Sequence, residues 1–544
     1  MNVFLNSAKN KLKSIEINNE TLVLFFCVFL TLTANNSFFK NIIGLKFENN
    51  INLNSIFFIF LTAVSITSIN WLGFLLITPR IVTKTVLTII LILSSIASYY
   101  MDKYNIYLDK SMVRNVFATD IKEAKELIDL SLFLRIFLTG IIPSYILWKI
   151  KTKEYDIKKS FKTRLKYIIT ALITAVLSFL SISSSIIPLM REHKELRFLI
   201  TPSNYLSSAY KVIFKNAKKN TDKKIIDPEP KLVRKTDKPI ALILVIGETV
   251  RAKNWGLSGY ERQTTPELKK RNAINFTNVK SCGTDTETSL PCMFSIYGRR
   301  NYNENLILNT ESILSLIKRA GVKVIWRENQ SGSKGVADGM EYESFTNRKD
   351  PLFCNETRCY DEILNKDLNE KITSEKKDIL IVLHTLGNHG PAYYQRYPDK
   401  FKKFIPTCDT AKLETCSKEQ IVNTYDNAIL YTDYFLSKTI DILKEIKTHK
   451  TALIYISDHG ESLGEKNLYL HGIPYYIAPQ EQTHVPLIIW FSENFKKDIN
   501  MKCLTDKINL KLSHDNLPHT LLGLFGINSS AYEPEMDISH RCFK

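Results

Sequence analysis

Ile240-Ala241-Leu242-Ile243-Leu244-Val245-Ile246 is a continuous apolar run, preceded by Pro239 and followed by Gly247. A strand that is apolar on both faces is typical of a buried parallel sheet, because a half-exposed strand alternates between apolar and polar residues. Glu248 comes next, at the carboxyl end of the predicted strand, where open α/β sheets place their ligands. The run therefore predicts a parallel sheet with a candidate site at its carboxyl edge.

Three further runs resemble the first, at Asp378–Leu383, Ala452–Ile456 and Val485–Phe491. Segments with helical periodicity lie between them, at Glu311–Ala320 and Glu419–Glu445. Strands that alternate with helices indicate an α/β fold with a central, largely parallel sheet.

Histidines and carboxylates follow these strands at the same predicted edge. The chain places His389 after the second strand, Asp458 and His459 after the third, and His471 shortly afterwards. Taken singly, a glutamate after a strand is often a helix cap, and a lone histidine is more often structural than a ligand. Glu248 together with these four suits Zn²⁺, which binds oxygen and nitrogen ligands.

The stretch Cys282-Gly283-Thr284-Asp285-Thr286-Glu287-Thr288-Ser289-Leu290-Pro291-Cys292 crowds hydroxyl groups between two cysteines. It predicts a tight loop that turns into a helix, with a threonine near the positive end of the helix dipole. The alternative is a Ser/Thr-rich capped turn that carries a disulfide. A metal ion at the strand ends would favour a catalytic threonine, because it would lower the pKa of the hydroxyl.

Eight of the nine cysteines lie in the second half of the chain, and Cys27 stands alone in an apolar run. An even number without a CxxC pair indicates disulfides in an oxidising compartment. A zinc–thiolate site is the alternative, but the short spacings suit loop disulfides better. We predict the pairs Cys282–Cys292, Cys354–Cys359 and Cys408–Cys416, which leaves Cys503 and Cys542 for each other.

The first half is dominated by apolar stretches long enough to span a bilayer, which takes about 20 residues each. No small-residue cleavage pattern follows the first stretch, so we expect an uncleaved anchor. The five predicted spans are Thr21–Phe39, Ser55–Ile77, Ile81–Tyr100, Leu130–Trp148 and Tyr167–Leu189.

Basic residues orient these spans, because cytoplasmic loops carry an excess of lysine and arginine. Three regions are basic: the N-terminus with Lys9, Lys11 and Lys13, the connection at Arg80 and Lys84, and the connection over residues 149–166. With all three in the cytoplasm, everything after Leu189 lies in the periplasm, in agreement with the cysteine usage. We predict a membrane domain at 1–190 with a periplasmic loop at 101–129, an amphipathic linker at 191–235, and a periplasmic domain at 236–544.

The predicted periplasmic loop contains Asn115, Thr119 and Glu123 at intervals of four, so they would share one face of a helix. A solvated connector is the simpler interpretation of this pattern. The segment Arg191–Lys224 either lies along the membrane surface or tethers the second domain. Asp227-Pro228-Glu229-Pro230 breaks regular structure and marks the linker.

The 544-residue chain has a formal charge of +18. The basic residues form no aromatic-interleaved patch, so we expect no nucleic-acid partner. A basic protein at an anionic membrane surface is the more economical interpretation.

Six motifs together resemble those of the phosphoethanolamine transferases of Gram-negative inner membranes, a family in the alkaline phosphatase superfamily that includes the mobile colistin-resistance enzymes. The resemblance covers nearly the whole chain, and the motifs at 281–295 and 457–465 are together highly specific. The motifs are GET at 247–249, SCGTxTxxSxPCMFS at 281–295, SKG at 333–335, GNHGPAY at 387–393, SDHGESLGE at 457–465 and LHG at 470–472.

The resemblance implies Thr286 as the nucleophile, bound to a catalytic zinc together with Glu248, Asp458 and His459. It implies that His389 and His471 bind a second zinc or the substrate phosphate. The residues it implies around the phosphoethanolamine head group are Asn115, Thr119, Glu123, Ser331 and Lys334. One departure is local: Asp285 and Glu287 flank the nucleophile, where many relatives carry small or apolar residues.

The implied reaction transfers phosphoethanolamine from phosphatidylethanolamine to lipid A through a phosphoethanolamine–threonine intermediate. Such a transfer lowers the negative charge of the cell surface and gives resistance to polymyxins and cationic peptides. We expect a monomer in the bacterial inner membrane. The alternatives are another acceptor (core heptose, a glycan or a protein), a glycerophosphate transferase, a sulfatase or a non-catalytic sensor. A sulfatase would need a cysteine or serine in a C/S-x-P/A-x-R context. The corresponding residue here is Thr286, which is not in such a context.

Overall fold

The computed structural model describes residues 16–47, 52–119, 121–215, 223–234, 237–355 and 358–544. Two compact units emerge: Met1–Val113 with Ile128–Lys215, and Arg114–Leu127 with Asn216–Lys544. The short segment Arg114–Leu127 thus belongs to the second unit, although both of its flanks belong to the first. Lys9, Lys11 and Lys13, which contribute to the predicted orientation, lie outside the described residues.

The first unit is helical and has four to five candidate membrane spans among its described residues. Four are single helices long and apolar enough to cross a bilayer: Leu53–Ile77, Arg80–Tyr104, Leu130–Lys149 and Ile157–Glu192. The remaining candidate is a pair, Asn19–Ala34 and Asn36–Phe47, bent by 59°. The predicted span Thr21–Phe39 therefore crosses a bend instead of forming one straight helix.

Asn35 explains this bend, because its side chain leaves the helix to bond elsewhere. The Asn35 amide donates to the carbonyls of Leu30 and Thr201, and its oxygen accepts the Thr201 N–H at 2.8 Å. The bond to Leu30 satisfies a carbonyl near the end of the first helix, and the two bonds to Thr201 hold the buried Asn35 side chain at the break.

Capping and small polar contacts explain the other helices of this unit. Asn52 and Ser55 form a reciprocal capping box at the start of Leu53–Ile77. Between helices, Ser65 bonds Ser178 at 2.9 Å, in the manner of packed membrane helices. Large apolar side chains such as Phe57 are exposed on the outside of the helices, as a hydrocarbon environment allows.

The segment after the last span folds onto the first unit. Leu196 and Leu199 are buried in a core of this unit, and a helix follows at Ser203–Tyr210. The predicted linker at 191–235 therefore begins as packed structure, and residues 216–222 and 235 of it lie outside the described residues. A short strand pair, Glu16–Ile17 with Lys151–Thr152, completes the regular structure described for this unit.

The second unit is built on an eight-stranded sheet. Its strands, numbered here in chain order, are β1 Ile240–Gly247, β2 Ile274–Lys280, β3 Lys323–Glu328, β4 Glu341–Ser344, β5 Ile379–His384, β6 Lys450–Ser457, β7 His484–Phe491 and β8 Leu512–Ser513. The order across the sheet is β8-β2-β7-β6-β1-β5-β3-β4. Only β7 is antiparallel to its neighbours, so the predicted, largely parallel sheet is confirmed.

Strand β1 lies at the centre of the core, and every one of its residues is buried. Leu242 and Leu244 point into the apolar cluster on one side of the sheet, whereas Ile243 and Val245 point into the cluster on the other. Burial on both faces is the physical reason for the continuous apolar run.

Helices cover both faces. Lys418–Glu445 packs on one face through Phe435 and Ile440, and Asn516–Phe525 packs on the other. The remaining α-helices are Lys110–Ala118, which crosses the unit boundary, Ile121–Glu126, Pro266–Lys270, Thr286–Met293, Glu304–Leu308, Ile313–Arg319, Leu368–Ser374, Gln480–Thr483, Glu493–Lys496 and Met501–Thr505.

Four disulfides join Cys282–Cys292, Cys354–Cys359, Cys408–Cys416 and Cys503–Cys542, and Cys27 is buried without one. These are the pairs predicted from the spacing. All four lie in the second unit, as expected for an oxidising compartment.

The Cys408–Cys416 disulfide closes a loop directly before the long helix that begins at Lys418. Replacing both cysteines with serine should lower the free energy of unfolding of this unit by about 2–4 kcal/mol, because the unfolded chain regains loop entropy. Thermal unfolding of the purified protein in detergent measures the change. A Lys412→Gln control, at an exposed position in the same loop, should keep the wild-type midpoint, and equal midpoints for the double variant and the wild type would contradict the prediction.

Candidate active site

The register of two neighbouring strands brings the central residues together. β1 and β6 are parallel, and Gly247 pairs with Ser457 as the last residue of each strand. Glu248 and Asp458 therefore leave the same edge of the sheet side by side. The Asp458 carboxylate accepts the Thr249 N–H at 3.2 Å, which ties the two strand ends together.

Glu248, Asp458 and His459 form a compact, completely buried cluster. One possible ligand atom from each lies within 4.8 Å of the others. His459 Nε2 lies 3.4 Å from Glu248 Oε1 and 3.4 Å from Asp458 Oδ2. Asp458 Oδ2 is buried without a hydrogen-bond partner. A buried carboxylate oxygen without a partner is costly unless a cation or a donor neutralises it.

Thr286 brings its hydroxyl to this cluster. The helix Thr286–Met293 begins at this residue, so the hydroxyl lies at the positive end of the helix. Thr286 Oγ1 donates to Glu248 Oε2 at 3.1 Å and lies 3.4 Å from His459 Nε2. The predicted loop-to-helix turn thus places the predicted nucleophile among the predicted metal ligands.

Two acidic neighbours of Thr286 have structural partners. Asp285 is the N-cap residue of the helix, and its carboxylate accepts the Thr288 N–H at 2.9 Å. Glu287 forms an ion pair with Lys334 at 2.8 Å. The two acidic residues that distinguish this loop from the family pattern thus have separate roles: Asp285 caps the helix, and Glu287 holds Lys334.

His514 holds the loop before Thr286 against the sheet. Its Nδ1 accepts the Cys282 N–H at 3.0 Å, and its Nε2 donates to the Ser457 carbonyl at 2.9 Å. Both ring nitrogens are thus bonded in the neutral form, and burial lowers the pKa of His514 to about 3. This histidine therefore links the residue before Asp458 to the disulfide loop that carries Thr286.

The buried cluster attracts positive charge. Burial lowers the pKa of His459, but the carboxylates of Asp458 and Glu248 outweigh burial and raise it. Burial and the neighbouring charge of Glu248 raise the pKa of Asp458. Two carboxylates that draw a proton onto a neighbouring imidazole form a site in which a bound cation would displace that proton.

Two further histidines line the open side of the cluster. His471 lies with its ring centroid 4.5 Å from that of His459 and 5.3 Å from that of His389. Glu461 orients His471 through a 2.7 Å bond to Nδ1. The three imidazoles therefore form a continuous row that starts at the metal-ligand cluster.

The loop that carries His389 packs directly on Glu248. A Cβ at Gly387 would lie 2.6 Å from the Glu248 carbonyl oxygen, and Gly387 has a φ of +54°. Both features require glycine at this position. The GNHG motif is thus explained by close approach as well as by its histidine.

Glu123 reaches His389 from the segment Arg114–Leu127, which belongs to the same unit. Glu123 Oε1 lies 2.9 Å from His389 Nε2. Burial lowers the pKa of His389, but the Glu123 carboxylate outweighs it and raises the pKa to about 9. At neutral pH this is a buried ion pair.

The prediction that Asn115, Thr119 and Glu123 share one face of a single helix is wrong. One helix ends at Ala118 and the next begins at Ile121, so the residues do not share one helix. The Thr119 hydroxyl donates back to the Asn115 carbonyl at 2.7 Å, which competes with helix continuation.

The residues predicted to surround the head group are partly joined to one another. Lys334 Nζ bonds the Ser331 hydroxyl at 2.9 Å in addition to Glu287. Thr119 and Ser331 line one cavity. Asn115 is connected to this group through its backbone bond to Thr119.

Sequence reasoning missed four supporting residues: His514, Glu461, Arg396 and Glu126. Arg396 is buried and donates to the His389 carbonyl and to Glu126, each at 2.6 Å. The position of Glu461 within the SDHGES motif could have indicated a role. His514 follows a two-residue strand, and Arg396 and Glu126 meet across 270 positions, so no local pattern identifies them.

The residues present fit a zinc ion. The donor set of two carboxylates, one imidazole and a hydroxyl suits Zn²⁺, and Asp458 Oδ2 offers an oxygen that no hydrogen bond occupies.

Comparison with known proteins defines the class first. A family model described as Sulfatase matches residues 241–527, which is more than half of the chain. A second model, described as Phosphoethanolamine transferase EptA/EptB, matches residues 66–217. The second unit is therefore a sulfatase-like domain of the alkaline phosphatase superfamily.

Relatives along the whole chain define the particular family. Phosphoethanolamine transferase EptA of Escherichia coli K12 is 35% identical over 98% of this chain and 99% of its own. Phosphatidylethanolamine transferase Mcr-1 of E. coli is 36% identical over 93% and 95%. The integral membrane lipooligosaccharide phosphoethanolamine transferase A from Neisseria meningitidis superposes with a TM-score of 0.93 at 36% identity, over 97% of this chain and 100% of its own. The chain belongs to the EptA family of phosphoethanolamine transferases.

The neutral state of His514 predicts a pH-dependent stability. Unfolded histidine has a pKa near 6.5, so between about pH 6.5 and 3 the unfolded chain binds more protons than the folded one. The free energy of unfolding should therefore fall as the pH drops from 6.5, by up to about 1.4 kcal/mol per unit from this group.

The variant His514→Asn should be less stable at pH 8, because it loses the bond to Ser457. Its deficit relative to the wild type should shrink between pH 6.5 and 4.5. Thermal unfolding of the full-length protein at several pH values tests this. A deficit that does not change with pH would show that His514 is not held neutral.

Proposed function

We propose that the protein transfers phosphoethanolamine from phosphatidylethanolamine to a phosphate of lipid A through a covalent intermediate on Thr286. The observation that carries the proposal is the position of the Thr286 hydroxyl, bonded to Glu248 beside His459 at the start of a helix. The threonine, instead of a cysteine or serine, speaks against a sulfatase. The intact ligand cluster speaks against a non-catalytic sensor.

In this proposal Glu248, Asp458, His459 and Thr286 hold a zinc ion. When bound, zinc would lower the pKa of the threonine hydroxyl and neutralise charge on the phosphoryl oxygens. His389 and His471 stand next in the row and would bind the phosphate or a second zinc.

The first half-reaction forms a bond between Thr286 Oγ1 and the phosphorus of the donor. The bond from phosphorus to the glycerol oxygen breaks, and the diacylglycerol oxygen gains the proton that Thr286 loses. Glu248 accepts the hydroxyl hydrogen in the resting state, so it orients the oxygen. Lys334 pairs with Glu287, the residue that follows the nucleophile. In this proposal its positive charge stabilises the equatorial oxygens of the phosphoryl group.

The second half-reaction transfers phosphoethanolamine to an oxygen of the acceptor phosphate. The acceptor oxygen bonds to phosphorus as the bond from phosphorus to Thr286 breaks, and the threonine oxygen takes up the proton that the acceptor phosphate or water gives up. We propose that Asn115, Thr119, Glu123 and Ser331 surround the ethanolamine, and that the Glu123 carboxylate attracts its ammonium group. Glu123 would then release its ion pair with His389 and pair with the ammonium group of the substrate instead.

The membrane unit fits lipid substrates, because the site must stay near the leaflet that holds them. We propose that the protein is a monomer of the inner membrane with the second unit in the periplasm. Addition of phosphoethanolamine, with its cationic ammonium group, lowers the net negative charge of lipid A and thereby gives resistance to polymyxins and cationic peptides.

Thr286→Ala should abolish the modification, because it removes the oxygen that forms the covalent bond to phosphorus. Mass spectrometry of lipid A from cells that express the protein should show species with added phosphoethanolamine, and cells with the variant should lack them. Thr288→Ala, on the same helix, is the matched control and should retain activity. Unmodified lipid A with the wild-type protein, or equal modification with Thr286→Ala, would refute the proposal.

Asp458→Asn should remove the bound zinc, because it deletes a charged ligand from a buried cluster. Metal analysis of the purified protein should find an equivalent of zinc in the wild type and little in the variant. Glu287→Gln, whose carboxylate binds Lys334 and not the cluster, should keep its zinc. Equal zinc contents in Asp458→Asn and the wild type would contradict the assignment.

A further inference from the structure

The turn that follows Glu248 contains a strained residue. Thr249 has a φ of +56°, in the left-handed region that β-branched residues avoid because the side chain crowds the backbone. It is the only β-branched residue with a positive φ in the part of the chain that the structure describes. Such a conformation persists only where the surrounding contacts impose it, and strained residues of this kind concentrate at functional sites.

The side chain of Thr249 does not explain its conformation. Thr249 is completely buried, and its hydroxyl has no hydrogen-bond partner among the described residues. A buried hydroxyl without a partner is itself unfavourable. The contacts that impose the left-handed conformation are therefore those of the backbone.

The shortest of these backbone contacts comes from Tyr425, which is completely buried on the long helix Lys418–Glu445. Its hydroxyl donates to the Thr249 carbonyl at 2.6 Å and accepts the Arg251 N–H at 3.0 Å. One hydroxyl thus holds the turn at two points. Because it both donates and accepts, its own orientation is fixed as well.

The same helix also fixes the carbonyl of Glu248, through Asn388. The Asn388 N–H donates to this carbonyl at 3.0 Å. The Asn388 side chain in turn donates to the Tyr425 carbonyl at 3.4 Å and accepts the Thr432 hydroxyl at 3.2 Å. Two successive carbonyls, those of Glu248 and Thr249, are therefore tied to one helix.

Strand β6 holds the other ends of the same two peptide groups. The Asp458 carboxylate accepts the Thr249 N–H at 3.2 Å, and the Ser457 hydroxyl accepts the Val250 N–H at 2.9 Å. Each peptide group beside Thr249 is therefore fixed at both its N–H and its carbonyl. Because a peptide group is planar, fixing both groups fixes the φ and ψ of the residue between them.

We propose that Tyr425 is a positioning residue for the metal-ligand cluster: its hydroxyl holds Thr249 in the left-handed conformation and thereby aims the Glu248 carboxylate at Thr286. The inference rests on the proposed function, in which Glu248 is a zinc ligand. Without the hydroxyl, the Thr249 carbonyl can turn and the strain is released. The direction in which Glu248 leaves the strand then changes, so Tyr425 acts through the backbone of the turn.

Tyr425→Phe tests the proposal in the full-length protein in detergent, because it removes only the hydroxyl. The affinity of the metal-free protein for Zn²⁺ is measured by competition with a chromophoric chelator. The dissociation constant should rise about tenfold, as is typical when a group that orients a metal ligand is removed. Formation of the threonine adduct from phosphatidylethanolamine, followed by intact-protein mass spectrometry at saturating zinc, should slow as well, because Glu248 orients the Thr286 hydroxyl.

Tyr431→Phe is the matched control. Tyr431 is a buried tyrosine on the same helix, but its hydroxyl bonds Glu362 and not the turn. This variant should keep the zinc affinity and the adduct rate of the wild type, and thermal unfolding measures how far each lost hydroxyl affects stability. An equal loss of zinc affinity in the two variants would overturn the proposal, because the loss would then reflect the packing of the helix.

A change at Thr249 connects the effect to the strain. Asparagine is similar in size to threonine and adopts the left-handed conformation more readily. In a Thr249→Asn background the turn depends less on the hydroxyl, so Tyr425→Phe should raise the zinc dissociation constant by only about threefold or less. The same tenfold rise in both backgrounds would overturn the proposed route through Thr249.

The failure of this inference differs from that of the proposed function. Zinc binding and adduct formation that are equal in Tyr425→Phe and the wild type would overturn the role of Tyr425 alone. A wild-type protein that binds no zinc would overturn this role together with the metal assignment on which it rests. A wild-type protein that binds zinc with an affinity dependent on Tyr425, but forms no adduct, would support the role and overturn the proposed function.

Discussion

The burial of two carboxylates at one sheet edge is the constraint on which this structure depends. Glu248 and Asp458 meet because β1 and β6 end in register, and neither side chain is exposed. Like charges cannot be buried together without compensation. His459 supplies part of that compensation, and the three residues form a candidate metal site at which a bound cation would supply the remainder. The same need brings the Thr286 hydroxyl and the positive end of its helix to this edge.

Around this cluster, neutral contacts hold the backbone, and charged contacts hold the groups that we propose to face the substrate. The neutral His514 ring bonds the backbone on both sides of the site, at Cys282 and Ser457. By contrast, His389 and Lys334 are held by carboxylates, Glu123 and Glu287. A carboxylate partner can be exchanged for a phosphate or an ammonium group when a substrate binds, whereas the neutral scaffold need not change.

Local patterns were sufficient for much of the fold. The apolar run at Ile240–Ile246 predicted the central strand because burial on both faces removes alternation, and the short cysteine spacings gave the disulfide pairs. Local patterns failed where a distant residue decides. Asn35 bends the first helix pair through bonds to Thr201, which lies 166 positions away. Propensity alone does not contain such interactions.

By itself the sequence determined the residue types at the strand ends, the membrane spans and the family, because each depends on composition or on short motifs. Only the tertiary structure decided which groups neutralise one another. It gave Asp285 the role of a helix cap and Glu287 the role of a partner for Lys334. It also joined Glu126 to Arg396 across 270 positions, so that a segment between two candidate membrane spans belongs to the second unit. Charge compensation in a buried site depends on distance in space, which separation along the chain does not reveal.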